Sequence, residues 1–303
     1  MTPTAHAAKH RSVLIGLIGE GVGPSLTPAM HELEGARHGL SYVYRTVNME
    51  PGEAEPARLQ ALLDSARRLG FNGLNVTHPA KQAIVPLLDE LAPSAASIEA
   101  VNTVVLTGDR AVGHNTDVTA FAASIDEARD GRVLGTTVLV GAGGAGAAVA
   151  RAIAERQPTR FVVADLDAGR AEALASATGA ESASAQELAH LIPAADTVIN
   201  ATPLGMAAHP GSAVDPALLR AGTLVVDIVY RPVETAFVRG ARSRGCSVVT
   251  GLGMAMNQAA DAFEIFTGEP ADRAAMLADL TDLVAAEATR NPAHVAPLKG
   301  QER

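Results

Sequence analysis

Between residues 12 and 290, short apolar runs alternate with segments of helical period. SVLIGLIG (12–19) is a continuous apolar run punctuated by glycine, which predicts a buried strand. TPAMHELEGARHG (27–39) has helical spacing, with Pro28 acceptable in a first turn and Gly39 as the stop. SYVYRTV (41–47) reads as a strand, and ARLQALLDSARRLG (57–70) as an amphipathic helix ended by Gly70. GLNVT (73–77) is a short strand, and AKQAIVPLLDEL is expected to be helix, interrupted at Pro86. AVNTVVLTGDRAVGHN reads as two short strands around a Gly-Asp turn.

From about residue 118 the pattern changes. TTVLVGAGGAGAAVARAIAER (136–156) is strand, glycine turn and helix. RFVVAD (160–165), DTVINAT (196–202), GTLVVDIVY (222–230) and CSVVT (246–250) are Val/Ile-rich runs separated by helical segments. Such runs predict parallel strands covered on both faces. From about Met254 to Arg290 the chain reads as helical. The expectation is an α/β fold with two α/β domains, 12–117 and 118–250, and with helices 251–290 returning to the first domain or bridging the two. Residues 1–11 and about 291–303 are polar and read as loose ends. In such sheets ligands bind beyond the carboxyl ends of strands.

Composition narrows the function classes. The chain has 303 residues, 48% hydrophobic and 19% charged, enough for real cores. Aromatics are 3% and Trp is absent, so the core must be mostly aliphatic. The net charge of -9 argues against a nucleic-acid or anionic-membrane surface. Cys246 is the one cysteine, so no intrachain disulfide forms; it reads as a small buried side chain in its strand. The His residues lack ligand spacing, and no metal is expected. No signal region and no membrane-length apolar run is visible, which leads to the expectation of a cytoplasmic protein without a membrane partner. A homodimer is compatible with this reading.

VLVGAGGAG carries the spacing G-x-G-x-x-G as Gly141, Gly143 and Gly146, with Gly144 and Ala145 in the same turn. It follows a predicted strand and opens a predicted helix. There the first glycine permits the tight turn, the second admits a pyrophosphate to the backbone, and the third lets helix pack on strand. The next strand ends in Asp165, at about the expected distance for a ribose partner. A carboxylate there accepts from both ribose hydroxyls and repels a 2′-phosphate. The second domain is therefore expected to be a Rossmann-type dinucleotide-binding domain, with NAD favoured over NADP. Arg170 is the one nearby group that offsets this preference, by offering a partner to a phosphate.

Lys81, in NVTHPAKQ, is conspicuous because the only other lysines are Lys9 and Lys299, near the chain ends. Arginine keeps its proton in a protein, whereas lysine can give one up. Alone, Lys81 reads more readily as a solvated surface charge.

NVTHPAKQ, AVNTVV, HNTD, the glycine loop, INATPLGM and GLGMAMNQAADAF occur in that order, and together they resemble the shikimate dehydrogenase family from about Ile18 to Ala288. The resemblance implies a first domain with a mixed sheet that binds a small cyclic hydroxy acid. It places Lys81 and Asp117 on the family's catalytic lysine and aspartate, which manage the proton that accompanies hydride transfer. It implies that Ser25 and Thr27 hold the substrate carboxylate, and that Asn102, Thr77, Gln258 and Tyr230 contact the ring. Thr202, Val229 and Gly251 would lie around the nicotinamide, and Asn75 would brace the site. By residue type alone, Ser25 and Thr27 also read as helix caps and Asn102 as a turn residue.

The chain departs from the family pattern at three places. Ser25-Leu26-Thr27 replaces the usual Ser-x-Ser, and Leu166 stands where NADP-linked members carry Arg. Both resemble the NAD-linked quinate/shikimate subgroup. Ala80 replaces an aromatic residue and is expected to leave space beside Lys81. Three rivals follow: a dehydrogenase of amino-substituted analogues, with His78 lining the pocket, an NADP-linked biosynthetic shikimate dehydrogenase, and a non-catalytic sensor of these acids.

Overall fold

The computed structural model describes residues 11–290, so all but Arg11 of the expected loose ends lies outside the described residues. The chain builds two six-stranded sheets. The first comprises β1 (Ser12–Gly19), β2 (Ser41–Asn48), β3 (Gly73–Val76), β4 (Glu90–Leu91), β5 (Thr103–Thr107) and β6 (Arg110–His114), in the order β2-β1-β3-β5-β6-β4. β1 pairs in parallel with β2 and β3, while β5 runs antiparallel to β3 and β6, so the sheet is mixed. Its helices are α1 (Thr27–Arg37), α2 (Pro56–Arg68), and the single turns α3 (Ala80–Ala83) and α4 (Pro93–Ala96).

Period-two alternation in β1 divides its side chains between two cores. Ile18 joins Leu59 and Leu63 of α2 with Val76, Ile84 and Val104. Val13, Ile15 and Leu17 join Tyr42 and Tyr44 of β2 on the other face. That face is covered by Phe263 and Phe266 of α10 (Gly251–Thr267), a helix more than two hundred residues away in sequence.

α5 (Thr116–Arg129) starts at the end of β6 and packs Val118, Phe121 and Ile125 into the core of the second sheet. That sheet contains β7 (Thr136–Val140), β8 (Arg160–Asp165), β9 (Glu181–Ser184), β10 (Thr197–Asn200), β11 (Leu224–Asp227) and β12 (Ser247–Val249). The order β12-β11-β10-β7-β8-β9 is parallel throughout. Counted from β7 it is the 3-2-1-4-5-6 order of a Rossmann sheet, with its switch point between β7 and β10. α6 (Gly144–Ala154), α7 (Ala168–Thr178), α8 (Leu188–Leu191) and α9 (Ala236–Ser243) connect the strands. α10 and α11 (Arg273–Arg290) then bury Met256, Ala259, Met276 and Leu280 with Met30 of α1. The buried Glu34 carboxylate ties α1 to the start of α11, accepting from the Asp272 N–H at 2.7 Å and from Arg37 at 2.7 Å.

Four local expectations are corrected. AKQAIVPLLDEL is broken around Pro86 as expected but does not resume as helix: α3 ends at Ala83, a 3-10 turn spans Val85–Leu87 and β4 follows. β9 was not expected, since ESAS buries only Ala183 and so has no apolar run. Cys246 is half-buried and precedes β12, its thiol on the Arg220 carbonyl at 3.4 Å. Ala80 leaves no space beside Lys81; it is fully buried in the cluster of Ile18, Val76 and Ile84.

His31 is enclosed among Tyr42, Tyr44, Phe263 and Phe266. Its Nδ1 lies 3.0 Å from the Tyr42 hydroxyl, and its Nε2 has no partner among the described residues. Burial pushes its pKa down to about 3. The native state thus holds His31 neutral, while the unfolded chain takes up a proton near the ordinary value of 6.5. Stability falls as pH drops from 6.5 toward 3. Replacing His31 with Phe should flatten this limb by up to one proton, about 1.4 kcal/mol per pH unit, in urea titrations across that range.

Candidate active site

The residues singled out in the sequence gather where the two sheets present the same kind of edge. Ser25 and Thr27 follow β1, and Thr77 and Lys81 follow β3. Asp117 follows β6, while Asn102 immediately precedes the antiparallel β5, which brings it to the same end. On the second sheet the glycine turn, Asp165, Thr202, Val229 with Tyr230, and Gly251 stand at the ends of β7, β8, β10, β11 and β12.

Lys81 and Asp117 meet directly, with Nζ 2.6 Å from Oδ2. Their side chains are 20% and 11% exposed, so the pair is shielded but open on one side. The Asn115 side chain caps α5, accepting from the Asp117 N–H at 3.0 Å, and its amide donates to the Ala100 carbonyl at 2.9 Å. The Lys81 carbonyl accepts from the Val101 N–H at 2.8 Å, which ties α3 to the Asn102 loop. Sequence alone shows neither brace.

Asn102 is nearly fully buried, and its amide is the hub of the site. Oδ1 accepts from the Thr116 N–H and the Thr103 hydroxyl, both at 2.9 Å. Nδ2 donates to Thr116 Oγ1 at 3.0 Å, and that hydroxyl donates to the Gln258 carbonyl at 3.1 Å. Asn75 extends the network: it donates to the Asn102 carbonyl at 3.1 Å and to Thr103 Oγ1 at 2.9 Å, and accepts from the Tyr44 hydroxyl at 2.7 Å. One N–H of Asn102 remains beyond these bonds.

Ser25 Oγ accepts from the Thr27 N–H at 3.3 Å. Leu26 is at the cap position of α1 and offers no side-chain acceptor, so at this N-terminus Ser25 Oγ takes the first N–H of the helix and the Thr27 hydroxyl is not used as a cap. The positive end of the helix dipole is left facing the Ser25–Thr27 turn. The backbone N–H of Thr77 bonds the Ile18 carbonyl at 2.9 Å.

The glycines of the β7 turn differ in what confines them. Gly141 has φ +110°, and a Cβ there would fall 2.8 Å from the Ala201 carbonyl carbon and 3.0 Å from the Thr202 side chain. At Gly146 it would fall 2.0 Å from the Gly141 carbonyl oxygen. At Gly143, the cap of α6, it would meet nothing within 4 Å. The first and third glycines are therefore required by the fold, while the second fronts open space, as approach of a pyrophosphate demands. Asp165 braces this turn, accepting from the Ala142 N–H at 2.7 Å and the Asp167 N–H at 2.9 Å. Arg170 is an exposed residue whose guanidinium pairs with Asp167 at 3.4 Å.

Two further residues, to which the sequence reading gave no role, organise the other loops. Asn200 accepts from Thr202 Oγ1 at 2.7 Å and donates to Asp227 Oδ1 at 2.9 Å. Asp227 also accepts from the Val229 N–H at 3.1 Å and the Thr235 hydroxyl at 2.7 Å. Burial raises the Asp227 carboxyl above the ordinary range, and its three donors oppose the shift. Gly251 lies so close to β11 that a Cβ would fall 2.2 Å from the Ile228 oxygen. Among the described residues no cluster of three metal-ligating side chains occurs, and no helix is long and apolar enough to cross a membrane.

Comparison with known proteins fits this arrangement. Residues 17–104 match the family described as Shikimate dehydrogenase substrate binding domain, 128–239 match Shikimate / quinate 5-dehydrogenase, and 251–280 match Shikimate 5'-dehydrogenase C-terminal domain. The chain is 47% identical over 287 residues to a shikimate dehydrogenase (NADP(+)) of Streptomyces avermitilis, covering 92% of this chain and 99% of the relative. The chain belongs to the shikimate dehydrogenase family. Another family member, a quinate/shikimate dehydrogenase (NAD(+)) of Corynebacterium efficiens, is 48% identical over 282 residues, covering 90% and 99%. Among solved structures, a quinate dehydrogenase from Corynebacterium glutamicum in complex with NAD superposes with TM-score 0.84 at 44% identity, covering 90% of this chain and all of that one. Shikimate 5-dehydrogenase from Thermus thermophilus in complex with NADP(H) and shikimate gives TM-score 0.80 at 34% identity, covering 89% and 99%. As a shikimate dehydrogenase family member, the chain is an NAD(P)-linked oxidoreductase acting on CH–OH; relatives of equal identity bear both cofactor names.

The two kinds of glycine give a direct check within this family frame. Gly146→Ala should lower the melting temperature, because the added methyl overlaps backbone. Gly143→Ala should melt as wild type does, yet bind dinucleotide about ten-fold or more weakly in fluorescence titrations.

Proposed function

We propose that this protein is an NAD-linked dehydrogenase of quinate and shikimate, built from a substrate-binding part at about 12–117, a dinucleotide-binding part at about 118–250 and the helices at 251–290. The observation that carries the proton chemistry is the 2.6 Å contact between Lys81 and Asp117 beyond the carboxyl ends of β3 and β6. When bound, the nicotinamide supplies the acceptor or donor of the hydride. Lys81 takes the proton of the ring hydroxyl during oxidation and returns it to the ring carbonyl during reduction. Asp117, fixed by the Asn115 cap, holds the lysine in place and balances its charge. An arginine at position 81 would bind without cycling its proton.

The start of α1 supports Ser25 and Thr27 as the carboxylate site, since its cap position, Leu26, supplies no acceptor, and two hydroxyls beside a helix N-terminus suit an anion. Thr77, Gln258, Tyr230 and the remaining N–H of Asn102 are assigned to the ring hydroxyls. Gly141, Gly143, Gly144, Ala145 and Gly146 are assigned to the pyrophosphate, with Thr202, Val229 and Gly251 beside the nicotinamide. The NAD preference rests on the tip of β8. There Asp165 and Asp167 flank Leu166, and Arg170 is engaged by Asp167. A 2′-phosphate would meet two carboxylates, and Arg170 would have to leave Asp167 to reach it. The amino-analogue reading loses support, because Ala80 faces the core.

Initial rates with NAD and NADP, each against quinate and shikimate, test this reading. The expected result is a kcat/KM at least ten-fold higher with NAD, on both acids. Turnover confined to NADP and shikimate would overturn the cofactor assignment. Lys81→Ala should lower kcat by about 10²-fold or more, with a smaller change in KM, and Lys81→Arg should not restore it. Near-wild-type turnover in Lys81→Ala would remove the mechanism.

A further inference from the structure

One charged side chain from the loop after β11 reaches across to the other half of the site. Arg231 lies in the loop after β11, next to Tyr230. Its Nε donates to Glu287 Oε2 of α11 at 2.7 Å, and its Nη2 donates to the other oxygen of the same carboxylate. Its Nη1 donates to the Pro24 carbonyl at 2.8 Å, one residue before Ser25. The ion pair is shielded, with side chains 24% and 33% exposed.

The geometry matters because of what each partner adjoins. Pro24 belongs to the turn that leads into α1 and carries Ser25 and Thr27. Arg231 belongs to the segment that carries Val229 and Tyr230, whose course is fixed by the buried Asp227. Glu287 lies on the helix that packs on α1 through Met276, Leu280 and Met30. A planar guanidinium with both of its edges engaged fixes distance and angle together, which a lysine could not do. The carboxylate is neutralised by this pair, so the carbonyl of Pro24 receives a donor that is already oriented.

We propose that Arg231 is a positioning residue that couples acid binding to dinucleotide binding, by setting the Ser25–Thr27 turn against the Val229–Tyr230 segment. This rests on the assignment of those residues in the proposed function. A nicotinamide against the Val229–Tyr230 segment adds contacts to a segment that Arg231 already ties to Pro24. Through Pro24 that added restraint reaches the carboxylate turn, so the second ligand binds to a site already in place.

The test uses full-length protein and titrates quinate with and without saturating NADH, a pair that cannot react with each other. Wild type should bind quinate about five-fold or more tightly in the presence of NADH. Arg231→Met should bring that ratio close to one and raise the quinate KM more than it lowers kcat, with NADH affinity alone little changed. Glu287→Ala, which frees the guanidinium from α11, should lower the ratio in the same direction and carries the test if Arg231→Met fails to fold. A wild-type ratio of one, or a ratio unchanged in both variants, overturns the inference while leaving the dehydrogenase reading intact. Wild type that binds no quinate at all removes both, and the absence of turnover with either acid identifies that case.

Discussion

The site depends on the orientation of one buried amide. Asn102 offers its oxygen to the Thr116 N–H at the start of α5 and its nitrogen to the Thr116 hydroxyl, which passes the bond on to the carbonyl of Gln258 in α10. Three segments remote in sequence are thereby held at one point. If the amide were reversed, donor would face donor at the Thr116 N–H, and the helix that carries Asp117 would lose its anchor. Buried groups left unpaired in this way cost about 1–3 kcal/mol each, which makes the arrangement close to all-or-none. Lys81 is tied to the same loop through its own carbonyl, so both members of the ion pair take their positions from the Asn102 turn.

The two sheets contribute differently to this centre. The first places its groups on short turns after strands, where side-chain amides and hydroxyls supply the rigidity that a long helix would otherwise give. The second relies on backbone proximity: Gly141 and Gly146 pack main chain against main chain, and the buried Asp227 holds the loops after β10 and β11 in register. α5 and α10 connect these regimes, because each begins at one sheet's functional edge and buries its apolar face in the other half.

The architecture was largely legible in the sequence, because buried parallel strands write continuous Val/Ile runs, and glycines spaced as they are after β7 mark the tight passage from strand to helix. The strands that escaped are those whose pattern carries no such signal: β9 buries a single alanine, and β4 is two residues long. At the site, the family resemblance pointed to Lys81, Asp117 and Asn102, and the glycine spacing to the turn after β7; the structure places all of them at strand ends. Their supports were not legible. Thr116, Asn200, Asp227 and Arg231 act through partners that are adjacent only after folding, and nothing in local spacing marks them. Ala80 shows the opposite failure: an unusual residue beside a functional one suggested a pocket, but the turn of α3 directs it into the core.

Leu166 projects from the end of β8 with 91% of its surface exposed, in a stretch where the neighbouring carboxylates already brace the turn through backbone. No packing is lost when this position changes. A substitution there changes the chemistry presented at the tip of β8 while leaving the stability of the fold almost untouched. Relatives sharing nearly half of their residues with this chain bear both cofactor names.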